Sequence, residues 1–274
     1  MIEESSENIL AIDVHAHFGS YWREGGGAAN EFMSASYLEV MRRAQSCNIV
    51  KTIVSPLASM IPRFKGKPIE ANEETAEIVN ENESLLQWVV LNPLVPETFK
   101  QSAEMLKNLN CAGIKIHPEE HGYEIKKYIR MIFDFASENH AVILSHSGEI
   151  NSMPEDFVDI ANEFSNVKII LAHLGCGFDN NPTYQIRAMQ KNIHNNIYTD
   201  TSSASNLLPG LIEWAVKEVG SERILFGTDS PLYFLPMQRI RIDKAEISLN
   251  DKENILYKNA EKIFNLKKKG KVNE

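Results

Sequence analysis

The chain has 274 residues, 43% of them apolar and 24% charged, an ordinary globular balance at the length of one barrel-sized domain. Its net charge of −9 argues against a nucleic-acid or anionic-membrane partner. The acidic start lacks a signal-peptide pattern, no apolar run reaches the ~20 residues of a membrane span, and three scattered cysteines form no disulfide framework, so a cytoplasmic protein is expected.

Apolar runs of strand length begin near Ile9, Val50, Leu85, Cys111, Ala141, Val167, Asn196 and Ile224. Each is followed by a helical pattern, at the roughly 30-residue spacing of one strand, one helix and two short loops. Thr52-Ile53-Val54, Trp88-Val89-Val90-Leu91, Val142-Ile143-Leu144 and Ile169-Ile170-Leu171-Ala172 are nearly unbroken apolar stretches. Strands buried on both faces read this way, as in a parallel sheet covered by helices.

The intervening spacing predicts helices over 36–47, 69–82, 96–109, 123–139, 154–164, 182–193, 209–219 and 251–266. In the first of them Leu38, Met41 and Val40 are expected on the inner side, with Arg42 and Arg43 opposite. Proline at or near several of the starts supports these boundaries. Eight strands alternating with eight helices argue for a single (β/α)8 TIM barrel over 1–274, with a basic tail at 267–274 expected to be disordered. A doubly wound sheet would show a glycine-rich phosphate turn after its first strand. Gly25-Gly26-Gly27 comes too late for that and reads as a loop tip.

The first run ends Asp13-Val14-His15-Ala16-His17, and period-2 alternation puts both histidines on one face. The fourth ends Lys115-Ile116-His117, the fifth Ser145-His146, the sixth Ala172-His173, and the eighth Gly227-Thr228-Asp229-Ser230-Pro231. In a barrel, the C-terminal ends of the strands build the active site. Imidazoles mixed with a carboxylate suit zinc, manganese or iron rather than a thiolate-type metal. A metal bound there would ionise water near neutral pH, with Asp229 and His173 placed to relay its proton. Asp13 shares the parity of His15 and is expected to play a buried structural role. Arg23 and Arg63 are loop residues able to bind a substrate carboxylate, and Tyr233 is expected to line the pocket.

The ordered series of His-x-His, His, His and Asp at the ends of strands 1, 5, 6 and 8 resembles the amidohydrolase superfamily. The phrasing of Asp13–His17, Leu171–Gly175 and Gly227–Pro231, with the closing stretch Ile255–Phe264, is similar to its amidohydrolase-related branch. That branch contains metal-dependent hydrolases, aromatic-acid decarboxylases similar to aminocarboxymuconate-semialdehyde decarboxylase, and hydratases. The resemblance spans about residues 10 to 266. It implies His15, His17, His146 and Asp229 as metal ligands, with Asp229 also taking a proton, and His173 as the residue that polarises substrate. Lys115 stands where binuclear members carry a bridging group, and it is expected to remain an ordinary amine beside one metal. His117 would contact substrate or add a ligand. The implied cofactor is one divalent metal, Zn²⁺ first, with Mn²⁺ or Fe²⁺ as alternatives.

The leading expectation is therefore a hydrolase in which a metal-activated water attacks the carbonyl carbon of a small-molecule amide, ester or lactone. The alternative is a decarboxylase, a lyase acting on an aromatic or unsaturated carboxylic acid, which arginines near the metal would favour. A non-catalytic metal-binding barrel is the third reading. The expected partner is a small molecule, and a homodimer is an option because barrels of this kind often pair.

Overall fold

The computed structural model describes residues 9–203 and 207–266, so the basic tail expected at 267–274 lies outside the described residues. Eight strands form one parallel sheet in sequence order: β1 (Ala11–Phe18), β2 (Ile49–Pro56), β3 (Leu85–Val90), β4 (Cys111–Ile116), β5 (Ile143–Ser145), β6 (Ile169–Leu171), β7 (Ile197–Asp200) and β8 (Ile224–Leu225). The sheet curls back on itself. Val14 N–H donates to Phe226 at 2.9 Å and Asp229 N–H to the His15 carbonyl at 2.7 Å, joining the end of β8 to β1 in a nearly closed (β/α)8 barrel.

Two packed layers hold it. Ile114, Ile143, Ile169, Ile197 and Ile224 pack outward against helix residues such as Phe133, Ile186, Ile212 and Leu256. Ile53, Leu144, Ile170 and Leu225 fill the inside with Trp88 and, from the closing helix, Ala260 and Ile263. The alternation between neighbours, Ile143 out and Leu144 in, is the period-2 strand pattern that lets one apolar run serve both layers. It breaks in β1, whose register slips between Asp13 and Ala16. Val14 therefore joins the inner cluster while His15 and His17 still face the cavity above it.

Trp88 seals the floor beneath that cavity. It is fully buried, donates its indole N–H to the Val14 carbonyl across the barrel at 2.8 Å, and packs edge-on against Phe264 at 5.5 Å. Gly113 is required beside it, since a Cβ there would stand 2.7 Å from the indole and 2.3 Å from the Val142 carbonyl oxygen. Trp88→Ala should cost about 3–5 kcal/mol, because it removes a large buried side chain from a site unable to collapse. Trp88→Phe should cost much less. Urea unfolding of the two variants checks this, and equal losses would count against the floor-sealing role.

The helices follow the predicted order with ends shifted by up to a few residues: Tyr37–Gln45, Pro68–Glu81, Glu97–Met105, Ile125–Glu138, Val158–Glu163, Tyr184–Lys191 and Leu211–Val219. The expected last helix is a composite of Leu249–Glu253, a π turn Asn254–Lys258, and Asn259–Phe264. The helix Leu235–Asp243 was not anticipated. One inner face needs correcting. Leu38 is 59% exposed, while Val40 and Ala44, four residues apart on one stripe, are buried against the sheet. Among the described residues no helix is long and apolar enough to cross a membrane.

Candidate metal centre

His15, His17, Lys115, His117, His146, His173 and Asp229 arrive on one rim because each stands at or just past the C-terminal end of a strand. With Arg23, Arg63 and Tyr233 from the loops, all of them line a single cavity of about 230 Å³. Two of these residues hold unusual backbones, His173 at φ 70° and Asp229 at φ 56°. Left-handed conformations at non-glycine residues cost of order 1 kcal/mol and cluster at functional sites.

The fit for a metal can be judged from lone pairs. His17 Nδ1 lies 3.1 Å from the Ser55 carbonyl, and His15 Nδ1 lies 2.8 Å from Asp200 Oδ2. Both oxygens only accept, so each Nδ1 carries the proton and each Nε2 is left with a lone pair. Those two lone pairs face Asp229 Oδ1, at 3.0 Å from His17 and 3.6 Å from His15. Three buried acceptor atoms converge there, with the Lys115 amine 2.9 Å from His15 Nε2 beside them, and a divalent cation would pair with all three. The spacing is near the ~3.4 Å edge of a tetrahedron drawn at zinc–nitrogen distances. His15, His17 and Asp229 therefore fit a divalent metal. Burial pushes the Asp229 carboxyl up, but the close approach of His17 Nε2 and the neighbouring imidazoles outweighs it and leaves the group well below the usual carboxylate range.

A second cluster of potential ligands, His15, His173 and Asp200, shares His15. Its geometry is that of a support. Asp200 Oδ2 takes the His15 N–H, and Oδ1 takes the backbone N–H groups of His173 and Ser202, each at 3.0 Å, as well as the Ser202 hydroxyl. Ser202 Oγ also sits 2.7 Å from His173 Nδ1. Asp200 thus has its acceptor sites filled, and it orients His15 and His173 together. Removing such a support typically lowers metal affinity 10- to 100-fold. We expect that loss in Asp200→Asn, read by competition with a chromogenic chelator, with the circular dichroism spectrum unchanged. Wild-type affinity in the variant would refute the supporting role.

His146 stands beside the triad rather than within it. Its Nδ1 is 3.1 Å from His173 Nε2, its Nε2 is 3.0 Å from Glu149 Oε1, and its ring stacks on His117 at 4.1 Å. The side-chain bond from His146 holds Glu149 below the usual range. His117 caps the short helix Pro118–His121, its Nδ1 accepting from Glu120 N–H at 3.3 Å. Burial drives His117 and His173 well below the ordinary imidazole range, so both are neutral. Lys115 is fully buried and its Nζ reaches His15 Nε2 at 2.9 Å. Burial pulls it down to about 8, so its neutral amine is within reach near physiological pH. Asp13 is structural as expected: it accepts the N–H of His15 and both the N–H and hydroxyl of Thr228, and burial raises it to about 7.

Several residues in or around the cavity were not singled out from sequence. Asp200 closes the seventh apolar run and was open to the same strand-end rule as its neighbours. Ser202 and Glu149 sit in loops and Glu120 in a single helical turn, where no periodicity marks them. Glu120 is 5% exposed and binds both Arg23 and Arg63, the latter with Nη2–Oε1 at 3.1 Å.

No curated protein sequence matches the chain. Solved structures of similar shape are numerous but distant in sequence. A TIM-barrel protein of Bordetella bronchiseptica superposes with a TM-score of 0.74 at 16% identity, covering 94% of this chain and 99% of that one. A dihydroxybenzoic acid decarboxylase of a Polaromonas species, with bound manganese and the inhibitor 2-nitroresorcinol, gives 0.72 at 17%, covering 94% and 97%. A 5-carboxyvanillate decarboxylase of Novosphingobium aromaticivorans, complexed with manganese and a nitrobenzoic acid, gives 0.70 at 14%, covering 95% and 97%. At these identities the likeness shows the fold. The sequence profile of the amidohydrolase family, in contrast, matches residues 12–266, from the first strand through the closing helix. A match of that extent, over a barrel whose strand ends carry the residues just described, makes this chain a member of the amidohydrolase family.

Proposed function

We propose that the protein is a metal-dependent lyase that decarboxylates an aromatic or unsaturated carboxylic acid. The observation that carries this reading is the pair of arginines, Arg23 and Arg63, lining the same cavity as His15, His17 and Asp229. A guanidinium has five donors in a planar fork suited to a carboxylate, whereas a neutral ester, lactone or amide has no use for two of them. This reverses the order expected from sequence, where the hydrolase led. The decarboxylases among the similar barrels agree with the reading and carry no independent weight at their identities.

When bound, a divalent metal held by His15, His17 and Asp229 would supply Lewis-acid polarisation of a substrate oxygen. The manganese in two of the similar barrels makes Mn²⁺ a candidate alongside Zn²⁺. The rest falls to side chains. Arg23 and Arg63 attract and orient the acid. The bond to the carboxylate breaks, carbon dioxide leaves without the electron pair, and the carbon that keeps the pair takes up one proton. With Asp229 ionised and His173 neutral, neither of this pair holds a proton for the carbon. It enters with the substrate or a water, is accepted by Asp229, and is handed to the carbon while His173 holds the reacting group in place. His117, stacked on His146, offers a flat neutral surface for an unsaturated substrate.

The hydrolase remains the second reading, favoured by the same ionised Asp229, which is equally fitted to take a proton from an attacking water. A screen of metal-loaded protein against hydroxybenzoates, unsaturated acids, esters, lactones and amides separates the two. Carbon dioxide release is expected from an acid, with KM raised about tenfold or more in Arg23→Ala and Arg63→Ala. Hydrolysis of an ester, lactone or amide, with no carbon dioxide from any acid, would sink the lyase.

A further inference from the structure

The cavity has two unlike sides. Along β4 to β6 it is lined mainly by titratable groups, among them His117, Glu120, His146 and Glu149. Beyond the ends of β1, β2 and β8, which are neighbours once the barrel closes, the following segments add a largely apolar wall. Leu57, Met60 and Ile61 form a buried cluster there, with Tyr21 and Leu232 packed against it. Arg23 and Arg63 are the charged members of this wall.

The apolar wall continues outside the cavity. Trp22, Phe32, Phe64 and Phe234 are 50–76% exposed, and each is the chain neighbour of a lining residue, namely Arg23, Met33, Arg63 and Tyr233. Successive Cα atoms lie about 3.8 Å apart, so the four rings stand at the mouth. All four belong to the segments after β1, β2 and β8. Ile150 is exposed in the same way beside Glu149 on the opposite side. Single exposed apolar residues are ordinary, but several around one opening mark a binding site. Phe64 is held in place at a conformational cost, with φ at 65° where bulky residues are rare. Its N–H donates to the Glu120 carbonyl at 2.8 Å, and its ring rests over Gly122, where a Cβ would stand 2.8 Å from it.

The cavity of about 230 Å³ is smaller than the roughly 300–1,000 Å³ usual for small-molecule sites, so a ligand of ordinary size extends through the mouth. Charged residues cut the collar of exposed rings, since Arg23, Glu31, Arg63 and Lys65 adjoin its members in the chain. A bilayer or a protein partner needs an unbroken apolar face, whereas an extended small molecule needs only a strip. Arg23 and Arg63 each adjoin a collar ring, which couples an anionic head to an apolar tail. Resting on the acid-binding reading above, we propose that the collar is a subsite for the apolar tail of the ligand. The substrate class is then amphipathic carboxylic acids whose hydrocarbon or aryl extension reaches past the mouth and lies against Trp22 and Phe64.

The test titrates Zn²⁺-loaded protein with butanoate, hexanoate, octanoate and decanoate by isothermal titration calorimetry. These saturated acids bring head and tail without a reactive double bond. Affinity is expected to rise about two- to threefold for each added methylene, below the roughly fourfold of full burial because the collar is half open. In Trp22→Ser with Phe64→Ser, the gain from butanoate to decanoate is expected to shrink at least about fivefold, while butanoate itself moves less than about twofold. Decanoate bound no more tightly than butanoate by wild type overturns the proposal, and so does an undiminished gain in the double variant. If that variant fails to fold, Phe32→Ser with Phe234→Ser decides by the same comparison. Matched 1-alkanols keep the two ideas apart. Alkanols that bind as tightly as the acids, with the same gain in length, remove the acid-binding reading and leave the tail subsite standing. Acids that bind more tightly than alkanols but gain nothing with length uphold the reading and overturn the subsite.

Discussion

Replacing His15 and His17 together by alanine should abolish metal uptake, from about one ion per chain to background by elemental analysis. The two Nε2 atoms are two of the three converging acceptors, and Asp229 alone keeps no geometry for a divalent ion. The fold should survive, because the inner layer is built below the cavity from Ile53, Trp88, Leu144 and Ile170. The double variant also empties buried volume and strands the Asp200 carboxylate, so a stability loss of about 2–4 kcal/mol is expected beside the metal loss. Circular dichroism and thermal unfolding separate the two effects. Stoichiometric metal in a folded double variant would remove the metal centre from this rim.

Asp229→Asn should lower turnover about 10²- to 10⁴-fold, the usual weight of a positioned acid–base group, whichever reaction the protein carries out. The variant is informative because it is gentle. Asparagine has the shape of aspartate and tolerates the left-handed backbone that Asp229 adopts at φ 56°. The N–H to carbonyl bonds that knit this segment to β1, from Thr228, Asp229 and His17, involve backbone only. Stability should therefore stay within about 1 kcal/mol of wild type while metal affinity and proton transfer both fall. Activity within tenfold of wild type in metal-loaded Asp229→Asn would show that the proton moves elsewhere, and His173 would be the next group to test.

Much of the barrel is legible in the residues because a buried parallel strand has to be apolar on both faces and a covering helix on one. Those two periods survive in the sequence whatever the neighbours are. The starts at Leu85, Cys111 and Ile224 are met to the residue. The runs overstate strand length where a strand is only a short piece of ladder, as in β8, whose two residues are followed by the Gly227–Pro231 turn that carries Asp229. Leu38 illustrates a different limit: helical spacing gives a stripe, but its phase depends on where the helix sits against the sheet.

The candidate site divides in the same way. The position of each chemistry-bearing residue at a strand end follows from order along the chain, so the sequence by itself determined that His15, His17, Lys115, His117, His146, His173 and Asp229 share one rim. Which atoms meet on that rim was decided only by tertiary structure. A register slip in β1 sets the height of His15. The closure of β8 onto β1 brings Asp229 Oδ1 within 3.0 Å of His17. Asp200 reaches back across 185 residues to His15, and Glu120 ties together loops whose sequences say nothing of one another. Periodicity is a local property and is written in neighbouring residues. A contact between distant strands depends on register, twist and the side chains packed beneath it, and no stretch of the chain contains that information by itself.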